Sequence, residues 1–307
     1  MPRSHPTIDF LAVVLTVGVL IAGGVFVVAP LLRRLVMQQA IRDDAVAIDP
    51  RWEGVLESSV PTAGHLTAGE RTRLLKMSRE LLNTRHWEGC GGLVLEPDMR
   101  LVIAAQACLL TLEIPAEPYP GLREILVYPS GFLARNACDP RKWVVSVSSE
   151  RPVPELGEAW GNGTIVLGWD AALEGARDAN DGQNLIIHEF AHQFSYDHHL
   201  IPLPVSQQVV LAGYAAFGAY AEPSPVVPDA ESWRRVLSES YDRLCAKGSA
   251  PTILDKYGTT NLDEFFAVAS EAFFERPAQL AAEDGALFAQ LVALYRQDPS
   301  RRVTTAA

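Results

Sequence analysis

Residues 184–198 read NLIIHEFAHQFSYDH, in which His188, Glu189 and His192 form the motif HExxH. On an α-helix, His188 and His192 lie one turn apart on the same face, so two imidazole nitrogens can bind one ion. Glu189 lies beside them and can accept a proton from a water molecule bound to that ion. The motif therefore predicts the metal-binding helix of a zinc-dependent hydrolase, with one Zn²⁺ ion.

A catalytic zinc site has a third protein ligand, and one candidate lies close to the motif. His198 follows His192 by six residues and gives HExxHxxSxxH, which is close to the metzincin pattern HExxHxxGxxH. The metzincin glycine turns the chain sharply, but this chain has Ser195 there, and a left-handed backbone is costly for serine. No methionine follows the motif to form a Met-turn. His198 is therefore the less favoured ligand.

The other candidates lie on a second predicted helix, residues 261–277, which reads NLDEFFAVASEAFFERP. Asn261 can cap the start of this helix, and Pro277 suits its end. Glu264 and Glu271 fall near one face of the helix, together with Glu275. A glutamate from such a helix completes the His₂Glu site that is typical of gluzincins. Spacing alone does not rank Glu264 against Glu271.

Several separated segments resemble the Mlc titration factor A family of bacterial zinc peptidases. They are NLIIHEFAHQ, DEFFAVASEAFFERP, ILVYPSGF, GTIVLGW and YRQDP, found in the family's order between about residue 55 and about residue 300. That family is itself similar to the catalytic domain of anthrax lethal factor. The resemblance implies that Glu264 is the third ligand and that Tyr257 reaches toward the metal-bound substrate. Glu271 then becomes a residue that holds a ligand imidazole.

These residues predict the hydrolysis of peptide bonds, with Glu189 as general base and Tyr257 as a hydrogen-bond donor to the oxyanion. The resemblance implies aminopeptidase-type activity, although a longer peptide or a protein substrate is equally open. It also implies a rival function, because the family is named for capturing a transcriptional repressor of sugar uptake genes. In that alternative the protein is a regulatory binding protein, and its peptidase activity is secondary.

A short strand before the HExxH helix is the predicted substrate-binding element. The segment GTIVLGW is apolar and rich in β-branched residues, which favours a strand. An edge strand near the zinc can pair with the backbone of an extended substrate. The predicted substrate-binding residues are Thr164, Ile165, Val166, Leu167 and Gly168.

Charge and cysteine content indicate which class of partner is disfavoured and which compartment suits the chain. Its 307 residues carry a net charge of −11, which disfavours direct binding of nucleic acid, since that needs a basic face. The four cysteines contain no CxxC pair, so we expect unpaired, buried thiols in a reducing compartment. They are Cys90, Cys108, Cys138 and Cys245.

The N-terminal region predicts a membrane anchor. Residues 10–32 are 23 consecutive uncharged residues, rich in Val, Leu and Ile, and long enough to span a bilayer. Arg33, Arg34 and Arg42 follow this run, whereas only Arg3 and the terminal amine precede it. The positive-inside rule then places the C-terminal side in the cytosol. We therefore expect a single-pass protein of the cytoplasmic membrane with a cytosolic catalytic domain.

The fold class predicted from these patterns is α+β, a mostly helical gluzincin-like domain with a small mixed sheet, preceded by one transmembrane helix. The predicted division is a tail (1–9), the anchor (10–32), a juxtamembrane linker (33–60), the zinc peptidase domain (61–300) and a second tail (301–307). Helices are predicted over 67–82, 99–112, 232–245 and 286–297, and strands over 125–128, 144–147 and 164–169. We expect Asn180 or Asp181 to cap the HExxH helix.

Overall fold

The structure, a computed structural model, describes residues 48–115, 117, 119–130, 163–201, 227 and 229–302. This part of the chain contains nine α-helices and three β-strands, which confirms the mostly helical prediction. The helices are α1 (Arg51–Ser59), α2 (Ala68–Thr84), α3 (Pro97–Leu110), α4 (Trp169–Arg177), α5 (Leu185–His198), α6 (Ala230–Lys247), α7 (Leu262–Glu275), α8 (Pro277–Glu283) and α9 (Gly285–Tyr295). The strands are β1 (His86–Gly89), β2 (Glu124–Tyr128) and β3 (Thr164–Gly168).

Side-chain caps define the starts of two predicted helices. Thr67 and Glu70 form a capping box in which each side chain binds the backbone N–H of the other, and α2 follows. Asn261 Oδ1 accepts the backbone N–H groups of Asp263 and Glu264 at 2.9 and 3.0 Å, and α7 follows. Both helices therefore begin where the sequence predicts them.

The HExxH helix α5 begins after Asn184, so the predicted caps Asn180 and Asp181 are wrong. Asn184 Oδ1 accepts the backbone N–H of Ile187 at 3.0 Å. Asp181 instead accepts the backbone N–H of Gln183 at 2.8 Å and closes a turn ahead of the helix. Asn184, which directly precedes the apolar run, is thus the residue whose side chain binds a free N–H group in the first turn of the helix.

The three strands form a sheet in the order β1–β2–β3, and both neighbouring pairs are parallel. The predicted mixed sheet is therefore wrong for the described residues. Helix α3 lies in the connection between β1 and β2, and such a crossover is what parallel neighbours require. The predicted strands 125–128 and 164–169 are confirmed, β1 was not predicted, and the predicted strand 144–147 lies outside the described residues.

Helices α5 and α7 pack together at the centre of the core. Phe190 and Phe194 of α5 and Phe265 and Phe273 of α7 are fully buried. The ring of Tyr295, at the end of α9, lies 5.7 Å from that of Phe194 and 5.5 Å from that of Phe273. Aromatic burial of this size dominates core energetics, so this packing fixes the two helices that carry the predicted zinc ligands.

The structure describes part of the predicted linker but none of the predicted anchor. Helix α1, in the predicted linker 33–60, packs onto the core through Leu56, and Val60 after it is also buried there. Residues 10–32 lie outside the described residues. Within the described part of the chain, no helix combines the length and apolar character needed to cross a bilayer.

Three of the cysteines lie in the described part of the chain, and all three are free thiols, as expected. Only Cys108 of these is buried, whereas Cys90 is partly buried and Cys245 is exposed. Burial raises the pKa of the Cys108 thiol to about 12, which makes it unreactive at neutral pH. Cys138 lies outside the described residues. The described thiols therefore give no sign of a disulfide framework.

Candidate metal centre

The structure brings His188, His192 and Glu264 together. The two Nε2 atoms lie 3.1 Å apart, and Glu264 Oε2 lies 3.0 Å from that of His188 and 3.2 Å from that of His192. One ligand atom from each residue falls within 4.8 Å of the others. Two imidazoles and a carboxylate are the donor set of a His₂Glu zinc site, so the chemistry of these residues fits one divalent ion.

Local structure explains how Glu264 reaches the two histidines. It lies in the first turn of α7, where its backbone N–H binds the Asn261 cap. A carboxylate is stabilised near a helix N-terminus by the helix dipole. The capped first turn therefore presents an anionic side chain to the face of α5 that carries His188 and His192.

Glu271 lies on the other side of the His188 ring. Its Oε1 lies 2.8 Å from His188 Nδ1, and its Oε2 accepts the backbone N–H of Asn184. A carboxylate in this position accepts a hydrogen bond from the Nδ1–H group, which leaves Nε2 as the atom that would bind an ion. The structure thus places Glu271 behind a predicted ligand, in the position of a residue that orients it.

The structure does not bring His198 to the three converging residues. Helix α5 continues through Ser195 to His198, and the left-handed residue is His199, at φ 50°. The sharp turn of the metzincin pattern therefore does not occur at Ser195. The His198 ring instead packs against Phe194, with centroids 4.4 Å apart. His198 is therefore not part of the group of side chains that could hold one ion together.

Glu189 is buried beside the two histidines, with only 3% of its surface exposed. Its Oε2 atom is buried and has no hydrogen-bond partner among the described residues. Burial raises the pKa of Glu189 to about 7, although His188 and His192 act in the opposite direction. A buried carboxylate with an unsatisfied oxygen and a pKa near neutrality suits a general base that binds a water molecule.

Tyr257 lies at the mouth of the site, with 43% of its surface exposed. Its hydroxyl donates to Glu264 Oε1 at 3.3 Å, and its ring centroid lies 6.0 Å from that of His188. Burial of the hydroxyl end, together with the nearby Glu264 and Glu189 carboxylates, raises the pKa of Tyr257. The hydroxyl is therefore protonated at neutral pH and can donate a hydrogen bond.

The carboxylates and imidazoles of the centre shift each other's pKa values. Burial alone would raise the pKa of Glu264, but its hydrogen bonds to His188 and His192 lower it. Burial alone would lower the pKa of His188, but Glu271 and Glu264 raise it well above its ordinary value. The ring of His188 therefore holds a proton more tightly than a free imidazole does, and a metal ion has to compete with that proton.

The predicted substrate-binding strand lies at one end of the described sheet. Strand β3 pairs with β2 along one side, and its other side has no strand partner among the described residues. Ile165 and Leu167 are fully buried and anchor the strand in the core. The Thr164 hydroxyl donates to Glu124 Oε1 at 2.7 Å, which fixes the start of the strand.

Comparison with known proteins now decides the family. A model of the family described as Glucose-regulated metallo-peptidase M90 matches residues 33–199 and 221–296, which include α5 and α7. The chain belongs to this family. A Synechocystis protein named Uncharacterized protein slr2042 is 32% identical over 82% of this chain and 86% of its own. Proteins named Mlc titration factor A from Salmonella gallinarum and Salmonella typhimurium are each 29% identical over 83% of this chain and 89% of theirs.

Membership of the M90 family confirms the predicted family and makes this chain a relative of metallopeptidases. Sequence reasoning missed Asn184 beside the centre, and it placed Glu275 near the ligand face of α7 without giving it a role. Asn184 directly precedes an apolar helical run, which is a signal for a cap that was available in the sequence. Glu275 resembles a solvated helix residue in the sequence, but only 6% of its surface is exposed.

Proposed function

We propose that this M90-family protein is a zinc-dependent metallopeptidase that hydrolyses peptide bonds. The observation that carries the proposal is the convergence of His188, His192 and Glu264 beside the buried Glu189. Two imidazoles, one carboxylate and an adjacent buried carboxylate form the set of groups that zinc-assisted hydrolysis requires. A structural zinc site has four protein ligands and needs no such base.

Each residue of the centre has its own role in the proposed hydrolysis. An ion held by His188, His192 and Glu264 would supply Lewis acidity to a water molecule and to the substrate carbonyl. Glu189 accepts the proton of the attacking water and then delivers it to the leaving amine. Its unsatisfied Oε2 atom offers the hydrogen-bond acceptor that this water needs.

Tyr257 is proposed to stabilise the transition state. Its hydroxyl is protonated and lies at the mouth of the centre, where the carbonyl oxygen of a substrate would gain negative charge. In the structure the hydroxyl donates to Glu264, and exposure of the ring allows it to turn toward a substrate. Such a donor contributes about 3 kcal/mol when it is well placed.

We propose that substrate peptides pair with the free side of β3, through the backbone of residues 164–168. The proposal is supported by the position of β3 at the end of the described sheet. It is tested with a peptide that carries one N-methylated amide at successive positions. Loss of kcat/KM at alternating positions is the expected pattern, because strand pairing uses every second amide. Equal rates at every position would exclude pairing with β3.

The aminopeptidase-type activity implied by the family resemblance is also a proposal, and Asp263 supports it. This partly buried carboxylate lies beside Glu264, and no hydrogen bond or ion pair to it occurs among the described residues. Burial raises the pKa of Asp263, His192 acts in the opposite direction, and the nearby Glu264 raises the pKa again. Such a carboxylate suits the ammonium group of a substrate N-terminus. N-terminal acetylation of a peptide should then slow the wild type strongly and Asp263→Asn much less.

The decisive experiment for the proposed peptidase compares the wild type with Glu189→Gln. We expect the wild type to contain one zinc ion per chain and to cleave peptides. The Gln variant should keep the zinc and lose turnover by at least about 100-fold, because the general base is gone. Equal turnover of the two proteins, or a wild type that binds no zinc, would contradict the proposal.

The alternative function is the binding of a transcriptional repressor, and it is supported by the name of the Salmonella relatives, Mlc titration factor A. The Glu189→Gln variant separates the two functions as well. A cellular effect that persists in this variant would indicate binding. An effect that is lost together with turnover would indicate hydrolysis.

We further propose that residues 10–32 anchor the protein in the cytoplasmic membrane. The proposal rests on 23 uncharged residues followed by arginines, a pattern of a single-pass helix with its C-terminal side in the cytosol. Cell fractionation tests it: the full chain should pellet with membranes, and a variant lacking residues 1–32 should not. Equal partitioning of the two proteins would contradict the anchor.

A further inference from the structure

Asn184 is linked to both the main chain and the ring of His188. Its backbone carbonyl accepts the backbone N–H of His188 at 2.9 Å. Its own backbone N–H donates to Glu271 Oε2, and the other oxygen of Glu271 lies 2.8 Å from His188 Nδ1. A single residue therefore holds the main chain of a metal-site histidine directly and its ring through one carboxylate.

The side chain of Asn184 connects this arrangement to three further elements. Its Nδ2 group donates to Glu275 Oε1 at 2.8 Å, to Gln106 Oε1 at 2.9 Å and to the carbonyl oxygen of Gly175 at 3.2 Å. Gln106 belongs to α3, Gly175 to α4 and Glu275 to α7. The side chain of Asn184 is thus bound to α3, α4 and α7, three helices that pack against α5.

Glu275 completes the network on the side of α7. Its Oε2 accepts the backbone N–H of Gly182 at 3.0 Å, while its Oε1 accepts the amide of Asn184. Gly182 has φ 78°, a left-handed conformation that favours glycine and aims its N–H at the carboxylate. Glu271 and Glu275 lie one turn apart on α7, so both carboxylates bind the short segment that leads into α5.

This chemistry requires an asparagine at position 184. Its Oδ1 accepts the N–H of Ile187 as a helix cap, while its Nδ2 donates to Glu275. Aspartate caps a helix equally well but has no donor, so it would place a second carboxylate against Glu275. Serine also caps a helix but cannot reach three acceptors at once. Capping and the contact with Glu275 can therefore be separated by substitution.

We infer that Asn184 and Glu275 are positioning residues that set the orientation of Glu271 and, through it, the His188 ring. The inference rests on the proposed metal site. The carboxylate of Glu271 can hold the ring only if its own position is fixed, and partners of this kind change metal affinity by about 10- to 100-fold when they are altered. Helix capping alone would give Asn184 an effect on stability but none on the geometry of the metal site.

The test measures zinc affinity by chelator competition, and the visible absorption spectrum of the Co²⁺-substituted protein, for the wild type and four variants. They are Asn184→Asp, Asn184→Ser, Glu275→Gln and the double variant Asn184→Asp/Glu275→Gln. We expect Asn184→Asp and Asn184→Ser to weaken zinc binding by at least about 10-fold and to change the cobalt spectrum. The double variant restores a donor between positions 184 and 275, so it should bind zinc more tightly than Asn184→Asp does, while the contacts with Gln106 and Gly175 stay lost.

Thermal unfolding of the ion-free proteins separates stability from positioning. Wild-type zinc affinity and an unchanged cobalt spectrum in both Asn184→Asp and Asn184→Ser would overturn the inference, whatever their stability. A double variant as weak as Asn184→Asp would overturn the part assigned to Glu275. A wild type that takes up neither zinc nor Co²⁺ would instead overturn the proposed function and the inference with it. Asn184→Ser keeps the test informative if the buried charge of Asn184→Asp prevents folding.

Discussion

The imidazole of His188 is held at both nitrogens by one helix. Its Nε2 lies 3.0 Å from Glu264 Oε2, and its Nδ1 lies 2.8 Å from Glu271 Oε1. Glu264 and Glu271 are seven residues apart on α7, which is two helical turns. The orientation of the ring therefore depends on the position of α7 along α5, and the aromatic packing of the two helices sets that position.

The two glutamates should differ in their effect on metal binding. Glu264→Ala removes a direct ligand, so the protein should lose nearly all of its zinc after dialysis against a weak chelator. Glu271→Ala leaves the three ligands in place and should weaken binding by about 10- to 100-fold. Metal analysis after dialysis measures both effects. Full zinc content in Glu264→Ala with loss in Glu271→Ala would reverse the assignment.

The Asn261 cap should affect both stability and the metal site. Asn261→Ala removes the acceptor of two backbone N–H groups, one of which belongs to Glu264. We expect a loss of about 1 kcal/mol in the free energy of unfolding, measured with urea on the ion-free protein. Asn261→Asp keeps the acceptor and is the matched control. A stability equal to the wild type in Asn261→Ala would show that the cap does not hold the first turn of α7.

Tyr257→Phe should separate catalysis from binding. The substitution keeps the ring but removes the hydroxyl that is proposed to bind the oxyanion. We expect kcat to fall by about 100-fold with little change in KM or zinc content, because the lost contact forms only in the transition state. Steady-state kinetics and metal analysis check this. A rise in KM with unchanged kcat would instead assign Tyr257 to the binding of the ground state.

Asp197 should make stability depend on pH. Its Oδ1 accepts N–H groups from Gln193 and Gly121, whereas its Oδ2 is buried with no partner among the described residues. Burial raises the pKa of Asp197 to about 7. The folded state therefore holds this proton more tightly than the unfolded chain. The resulting stabilisation is present below pH 3.8, the ordinary pKa of aspartate, and is lost as the pH rises through about 7.

Urea unfolding of the ion-free wild type and Asp197→Asn at pH 5 and pH 8 measures this contribution. Between these two values the wild type should lose on the order of 2 kcal/mol more than the variant, at about 1.4 kcal/mol per pKa unit. Comparison of the two proteins removes the effect of other titrating groups. Equal losses would show that Asp197 is ionised in the folded protein throughout this range.

Much of the centre could be predicted because helical spacing is local. The four-residue interval between His188 and His192 places both rings on one face of any α-helix, and an asparagine before an apolar run marks the start of α7. The choice of Glu264 over Glu271 came from family resemblance. Spacing could not make that choice, since only the packing of α5 on α7 decides which glutamate meets Nε2 and which meets Nδ1.

The elements that were missed depend on tertiary contacts. Strand β1 reads HWEG, which has neither apolar alternation nor β-branched residues, and its pairing with β2 makes it a strand. The role of Glu275 arises because Asn184 and Gly182 meet it from a segment more than 90 residues away. The pattern of a single strand does not indicate whether its neighbour runs parallel or antiparallel. For β1 and β2 the parallel direction depends on the helix that connects them.

X-ray absorption spectroscopy of the zinc-loaded protein is the most direct test of the central claim that His188, His192 and Glu264 bind one ion. We predict two imidazole nitrogens at about 2.0–2.1 Å, together with oxygen ligands at about 2.0–2.2 Å from Glu264 and water. The Glu264→Ala protein, loaded with excess zinc, should retain the two imidazoles and lose the carboxylate. A zinc ion bound by sulfur, by three imidazoles, or by an environment that Glu264→Ala leaves unchanged would contradict the account.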